Sequence, residues 1–381
     1  MTAHPTACLQ GLRILTLAEQ YPGPYATLLL ADLGADVIIV ERPAGGDPSR
    51  MSPEFHAALN RNKRSVALNL KDEADKASLV TLIGSADVFM EGYRPGTLER
   101  LGFGYRQVSA IKPAIVYASI SGFGQSGPYR DRPAHDLSYQ AVAGLLAQRA
   151  ASGSTRLPEG PALGDLSSGM FAVIGILSAL LQRTRTGKGQ HIDVSMTDGL
   201  VSWMSIQLGQ VLNGGANRPL ISEPAYGLFK TADGKLLSLS IAYEDWFWTA
   251  LCAVLGLAAG AGLTGAQRAD DAPRLRDRIA EIVATETLAT WTRRFDKAGV
   301  PWAPVQDLAE VAADPHFAAR GMFSKVPTRD GERSYVAQPL LFDGVRPAPS
   351  RDVPGLGEHN AELLGGDQRI DPPEKTQGRR P

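Results

Sequence analysis

The stretch Leu12-Arg-Ile-Leu-Thr-Leu-Ala-Glu-Gln-Tyr-Pro-Gly-Pro-Tyr-Ala-Thr-Leu-Leu-Leu-Ala-Asp-Leu-Gly-Ala-Asp-Val-Ile-Ile-Val40 decides the fold. Leu12 to Leu17 alternates apolar residues as a buried strand does. Pro22-Gly23-Pro24 turns the chain, Tyr25 to Leu33 has helical spacing, and Gly34 stops it. Ala35 to Val40 is a second, β-branched strand. Strand, turn, helix and strand make one βαβ unit, which requires parallel pairing.

The cadence repeats downstream. Ser65 to Leu70 reads as a strand, Asp72 to Ile83 as a helix, and Ala86 to Met90 and Ile115 to Ile120 as further strands. This predicts an α/β, Rossmann-like, doubly wound sheet with its ligand crevice at the strands' carboxyl ends. No G-x-G-x-x-G follows the first strand, which argues against a nicotinamide or flavin enzyme. Gly169 to Leu181 reads as a buried helix and His191 to Ser195 as a strand. Asn213 to Pro219 is rich in breakers and predicts a linker. Gly227 to Ile241 predicts a hairpin turning at Asp233-Gly234, and Arg274 to Ala284 and Leu288 to Ala298 predict helices.

The expected organisation is a large domain over 1–212, a small α+β domain over 220–325, a returning segment over 326–366 and a disordered tail over 367–381.

The net charge of −1 over 381 residues supplies no field to recruit nucleic acid or an anionic membrane. Cys8 and Cys252 are the only cysteines, so neither a disulfide framework nor a zinc site is expected. Met1 to Gln10 lacks the pattern of a signal peptide, and the run Met170 to Leu181 is shorter than a bilayer span. These features predict a cytoplasmic protein without metal or tightly bound cofactor.

Several residues carry chemistry. Asp165, in Gly164-Asp-Leu-Ser-Ser-Gly169, has two readings: a helix cap, the commoner role, or a carboxylate facing a pocket beside the positive end of a helix. His135 is either an acid or base near neutrality or a histidine satisfied by a carbonyl, with Asp136 orienting nearby main chain. Asn60-Arg61-Asn62-Lys63-Arg64-Ser65 is either a solvated edge or a phosphate-binding run. Arg42, Arg94 and Arg100 follow strand ends, where a phosphorylated ligand would lie. Glu244 is either a second acid or base or part of a helix start.

Together these stretches resemble the family III CoA-transferases (CaiB/BaiF-like), the superfamily that also contains α-methylacyl-CoA racemase. The resemblance rests on Gly23 to Asp36, Asn60 to Ser65, Tyr93 to Gly102, Arg185-Thr-Gly-Lys-Gly-Gln190 and Val300-Pro-Trp-Ala-Pro-Val305, and runs from Gly11 to about Gly357. It implies an interlocked homodimer whose sheet domain is completed by the C-terminal segment. It implies Asp165 as a nucleophile toward an acyl-CoA thioester, and Tyr21, Arg42, Asn60, Arg61, Asn62, Tyr93 and Arg100 at CoA. The acyl-CoA and a carboxylic acid are then substrates. In the racemases the matching residues imply proton transfer by His135 and Asp165, with Glu244 supporting the histidine and Arg94 near CoA. Ser119, where racemases carry Arg, leans toward transfer. CoA transfer is the reading adopted, with racemisation or epimerisation as the alternative.

Overall fold

The computed structural model describes residues 7–147, 160–216, 222–328 and 331–365. Six strands form one sheet: β1 (Arg13–Thr16), β2 (Asp36–Glu41), β3 (Arg64–Ala67), β4 (Val88–Glu91), β5 (Val116–Ser121) and β6 (His191–Ser195). Their order is β3-β2-β1-β4-β5-β6, and each pairing is parallel. Leu15 pairs with Ile38 on one side and Phe89 on the other, so the direction of winding reverses between β1 and β4. A crevice at the carboxyl ends of those two strands follows from that reversal.

The connecting helices are α1 (Pro22–Asp32), α2 (Pro53–Asn60), α3 (Glu73–Ser85), α4 (Thr97–Leu101), α5 (Tyr105–Ile111), α6 (Asp136–Val142), α7 (Leu163–Thr186) and α8 (Met196–Trp203). The strands are apolar on both sides because both faces are covered. On one face Ile14, Val88 and Val116 pack with Leu30 of α1 and Ala172 and Ile176 of α7. On the other, Leu15, Ile38, Phe89 and Tyr117 pack with Leu79 and Leu82 of α3 and Val108 of α5. Each fully buried Leu or Ile stabilises the fold by about 1.5–3 kcal/mol. The approach of β6 to β5 depends on Gly189, where a Cβ would stand 1.8 Å from the Ile115 carbonyl oxygen.

Several boundaries shift from the sequence reading, the units dividing at 206/207 and 317/318, and two helix starts bear on the site. Helix α1 starts at Pro22, because a proline in the first turn lacks an N–H that would have no partner anyway. Helix α7 starts six residues before the expected Gly169, so Asp165 stands inside its first turn. At 24 residues α7 is also long and apolar enough to cross a bilayer by composition. Its Ala172, Ile176 and Ala179 are instead buried against the sheet, as in a core helix.

The chain divides into two compact units, Met1–Ile206 with Ala318–Pro381, and Gln207–Phe317. In the first, the late segment returns to the sheet's edge. His359 N–H donates to the Ser65 carbonyl, Asn360 Oδ1 accepts from Ala67 N–H at 2.9 Å, and Arg64 pairs with Glu362 at 2.6 Å. An antiparallel ribbon of β10 (Phe323–Thr328) and β11 (Gly331–Val336) belongs to the same unit. The second unit holds an antiparallel sheet, β7 (Tyr226–Lys230), β8 (Leu236–Ser240) and β9 (Trp302–Pro304), with Phe229, Leu237, Trp248, Trp291 and Phe295 at its core. The expected hairpin turn at Asp233-Gly234 is present, with Gly234 at φ +77. Part of the linker expected at Asn213 to Pro219, from 217 onward, and the tail 367–381 lie outside the described residues.

Candidate active site

At the crevice, the loops leaving β1 and β4 touch. A Cβ on Gly92 would stand 3.2 Å from the Ala18 methyl, tight enough to require a shift. After Ala18 the backbone at Gln20 is left-handed (φ +67), and its N–H donates to both Asp47 oxygens. Tyr21 then leads into α1, its ring edge-on to Phe55 at 5.2 Å.

The first turn of α7 lies over the start of α1. Gly169 permits this, since a Cβ there would meet the Tyr25 ring at 2.8 Å and the Pro22 carbonyl at 2.9 Å. Asp165 is half-buried in that turn. Among the described residues, no group donates a hydrogen bond to its carboxylate. The capping role belongs to Asp136, the first residue of α6. Its Oδ1 accepts from Gly164 N–H at 2.6 Å, and its Oδ2 accepts from Gln140 Nε2 at 2.6 Å.

Burial pushes the Asp165 carboxyl up to about 7, and the neighbouring Asp136 charge adds to the rise. A helix N-terminus favours the charged form. Desolvation and like charge therefore outweigh the helix end here. The surrounding phenols are raised too, Tyr21 by burial and then by Asp165, and Tyr139 to about 12 by burial. Tyr139 OH donates to the Ala134 carbonyl and so anchors the segment that carries His135.

His135 is exposed, with extended backbone just before α6, and its side chain does not cap that helix. Asp136 links the His135 segment to the Asp165 segment through one hydrogen bond. Glu244 belongs to the second unit, where its Oε2 accepts from the N–H groups of Ala242 and Tyr243. Those N–H groups hold its carboxyl below the usual range.

Arg42 and Tyr93 both line a cavity of about 570 Å³ at the carboxyl ends of β1 to β4, with Leu17, Val40, Leu68 and Leu101. Arg42 pairs with Glu19 at 3.4 Å, and burial pushes the Tyr93 phenol up to about 12. Arg94 and Arg100 are exposed nearby in sequence. A Cβ on Gly96 would lie 3.3 Å from the Arg100 guanidinium and 3.2 Å from that of Arg130. Sequence reasoning missed Arg130, although a cation two residues after the Gly122 to Pro128 loop at the end of β5 was the available signal. It also missed Glu91, the last residue of β4, whose buried carboxyl is pushed up to about 7 by desolvation.

The basic run is placed differently from the expected phosphate face. Asn60 Oδ1 accepts from Lys63 Nζ, and Asn60 Nδ2 donates to the His56 carbonyl. Arg61 is 3% exposed and pairs with Asp32 at 2.6 Å. Asn62 donates to Asp32 and accepts from the Ser350 and Arg351 N–H groups. Buried charges require such partners. These three side chains therefore knit α1, β3 and the returning segment together.

An apolar cleft of about 460 Å³ runs beside Tyr21, lined also by Tyr25, Leu28, Leu166 and Tyr335. Among the described residues, no group of three or more His, Cys, Asp or Glu is placed to hold a metal ion.

The succinyl-CoA:mesaconate CoA-transferase of Haloarcula marismortui is 34% identical over 93% of this chain and 95% of its own. The human α-methylacyl-CoA racemase is also 34% identical, covering 93% of this chain and 92% of the racemase. A solved CaiB/BaiF family protein from Brucella suis superposes with a TM-score of 0.81 at 30% identity, over 93% of this chain and 98% of that one. The profile described as CoA-transferase family III matches residues 9–360. Matched along nearly its whole length, the chain belongs to CoA-transferase family III.

Proposed function

We propose that the protein moves CoA from an acyl-CoA thioester to a carboxylic acid, with Asp165 as the nucleophile. The observation that carries this reading is the Asp165 carboxylate, raised to about 7 and given no hydrogen bond among the described residues, while Asp136 caps the helix. A carboxyl titrating there is half ionised at neutral pH and more basic than an ordinary aspartate, which favours attack on carbonyl carbon. An Asp165 oxygen attacks the thioester carbon, the C–S bond breaks, and CoA leaves as thiolate from a mixed anhydride. The thiolate attacks the Asp165 carbonyl carbon and releases the donor acid as its carboxylate. The acceptor carboxylate then attacks the aspartyl thioester carbon, and the C–S bond breaks to leave a second mixed anhydride and CoA thiolate. The thiolate attacks the acceptor's acyl carbon, forming the new acyl-CoA and releasing Asp165 as its carboxylate.

Arg42, Tyr93, Arg94 and Arg100 hold the CoA nucleotide at the strand ends, with phosphates taken by the guanidinium groups. Asn60, Arg61 and Asn62 serve that site from beneath by fixing the segment that enters β3. The cleft beside Tyr21 and Leu166 suits an apolar acyl portion. CoA is a substrate in this scheme. The protein works as a homodimer, since α7 leaves Met170, Ile174 and Leu181 47%, 57% and 61% exposed along one face. The interlocked form is implied by the family resemblance.

Hydroxylamine added during turnover, followed by mass analysis, tests the nucleophile. An unmodified Asp165 in actively turning-over enzyme would sink it.

The second reading is racemisation, with His135 and Asp165 exchanging the proton α to the thioester. The Asp136–Gly164 hydrogen bond that links their segments favours it, as does likeness to the human racemase. Incubation of a 2-methylacyl-CoA in deuterated water tests it: α-deuterium uptake supports it, and none excludes it.

A further inference from the structure

Helix α7 begins after Ala162, which has no side-chain acceptor, so its first N–H groups need partners from elsewhere. Asp136 supplies one, from 28 residues earlier in the chain. A Cβ at residue 164 would lie 2.9 Å from that same Asp136 oxygen, so glycine is what admits the carboxylate. Gln140 satisfies the second oxygen. Asp165 stands one residue further on, inside the first turn and past the position from which a side chain ordinarily caps.

Resting on the nucleophilic reading of Asp165, we propose that Asp136 is the positioning residue of this site: it caps α7, and so fixes the Gly164–Asp165 main chain without calling on the Asp165 carboxylate.

The surrounding charges support this. Tyr21 just before α1, Tyr25 of α1 and Tyr139 of α6 face the same region, and burial pushes all three phenols upward, so they are neutral near pH 7. His135 is exposed at the start of α6. Asp136 is the one charge among the described residues that acts on Asp165, and the elements packed on α7 from α8, β5 and β6 add none. One side chain therefore fixes where Asp165 stands and adds to the rise that burial gives its carboxyl.

Asp136→Asn separates the two effects, since the amide oxygen still accepts from Gly164 N–H while the charge is gone. Gln140 can turn its own amide oxygen toward the new NH2 group. In full-length protein labelled with 13C at aspartate side-chain carboxyls, the signal lost in Asp165→Asn identifies Asp165. We expect wild-type Asp165 to titrate near 7 and the Asp136→Asn protein to titrate lower by about one unit. The acid limb of kcat should move the same way, with KM for acyl-CoA within about twofold. Asp136→Ala, which removes the acceptor as well, should lose about tenfold or more in kcat.

If folded Asp136→Asn protein, with a wild-type melting temperature, keeps the wild-type Asp165 titration and kcat profile, the inference is overturned. Folded Asp136→Ala protein with wild-type kcat overturns it too. Should Asp136→Ala fail to fold, Gly164→Ala decides, since its methyl would stand 2.9 Å from the capping oxygen and force it away: wild-type kcat in that folded protein overturns the inference. The titration reads the influence of Asp136 without turnover, whereas the hydroxylamine adduct reads the nucleophile, so failure of one is distinct from failure of the other.

Discussion

Gly23 lies so near Ala18 that a Cβ added to it would stand 2.2 Å from the alanine methyl. Strand β1 therefore hands over to α1 through a contact only glycine allows, and Tyr21 is held within that turn. Gly23→Ala should cost about 1–3 kcal/mol of stability by overpacking. It should also displace Tyr21 and lower kcat/KM. Thermal melting together with steady-state kinetics checks this, and unchanged values in both would contradict it.

Asp165→Asn should lower transferase activity by about a thousandfold or more, with CoA binding by calorimetry retained. The remaining effect is on stability. The folded carboxyl titrates at about 7 against an unfolded value near 3.8, so between those values the folded state binds more protons. Stability from this group is then present at low pH and lost as pH rises toward 7. Asparagine does not ionise. The variant should melt higher than wild type above about pH 7 and show no such advantage below about pH 4.

For the wild-type enzyme, kcat/KM should rise with pH through about 7 as Asp165 ionises. A profile flat from pH 5 to 8 would show that its ionisation does not limit the reaction.

Arg42→Ala removes a cation that lines the strand-end cavity. KM for acyl-CoA should rise by roughly tenfold with kcat nearly unchanged, the pattern of lost uniform binding. A fall confined to kcat would place Arg42 outside the CoA site.

Arg61 should behave in the opposite way. Its ion pair with Asp32 is buried, so Arg61→Ala leaves an uncompensated carboxylate and should cost about 3–5 kcal/mol. In whatever fraction remains folded, KM for acyl-CoA should stay near wild type. Denaturant unfolding and kinetics on the same sample separate these effects.

What was legible beforehand follows from what is local. The strand His191–Ser195 and the helix Leu288–Ala298 have the bounds that the residue pattern predicts, because the strand follows the glycines at 187 and 189 and the helix stops at Gly299. Strand order was readable only as a class, since parallel pairing joins residues such as Leu15 and Phe89 across long intervals. The capping reading of Asp165 failed for a similar reason. The true cap arrives from Asp136, and no local spacing announces it. The Asn60 to Ser65 run looked like a surface for phosphates because its acidic partner, Asp32, lies 29 residues before Arg61. Charge in a sequence shows that a partner is required and leaves open which one.

The return of His359 and Asn360 to β3 has a consequence for the order of events during synthesis. Strand β3 emerges early from the ribosome, yet its Ser65 and Ala67 main-chain groups are met by residues nearly three hundred positions later. That edge of the nascent sheet is therefore open while the whole intervening unit is translated. Contacts of such long sequence separation close late and slow the final step. Crowded chains caught in that interval would carry an open strand margin, which makes the last forty or so residues of the described chain a guard against association as well as a part of the fold.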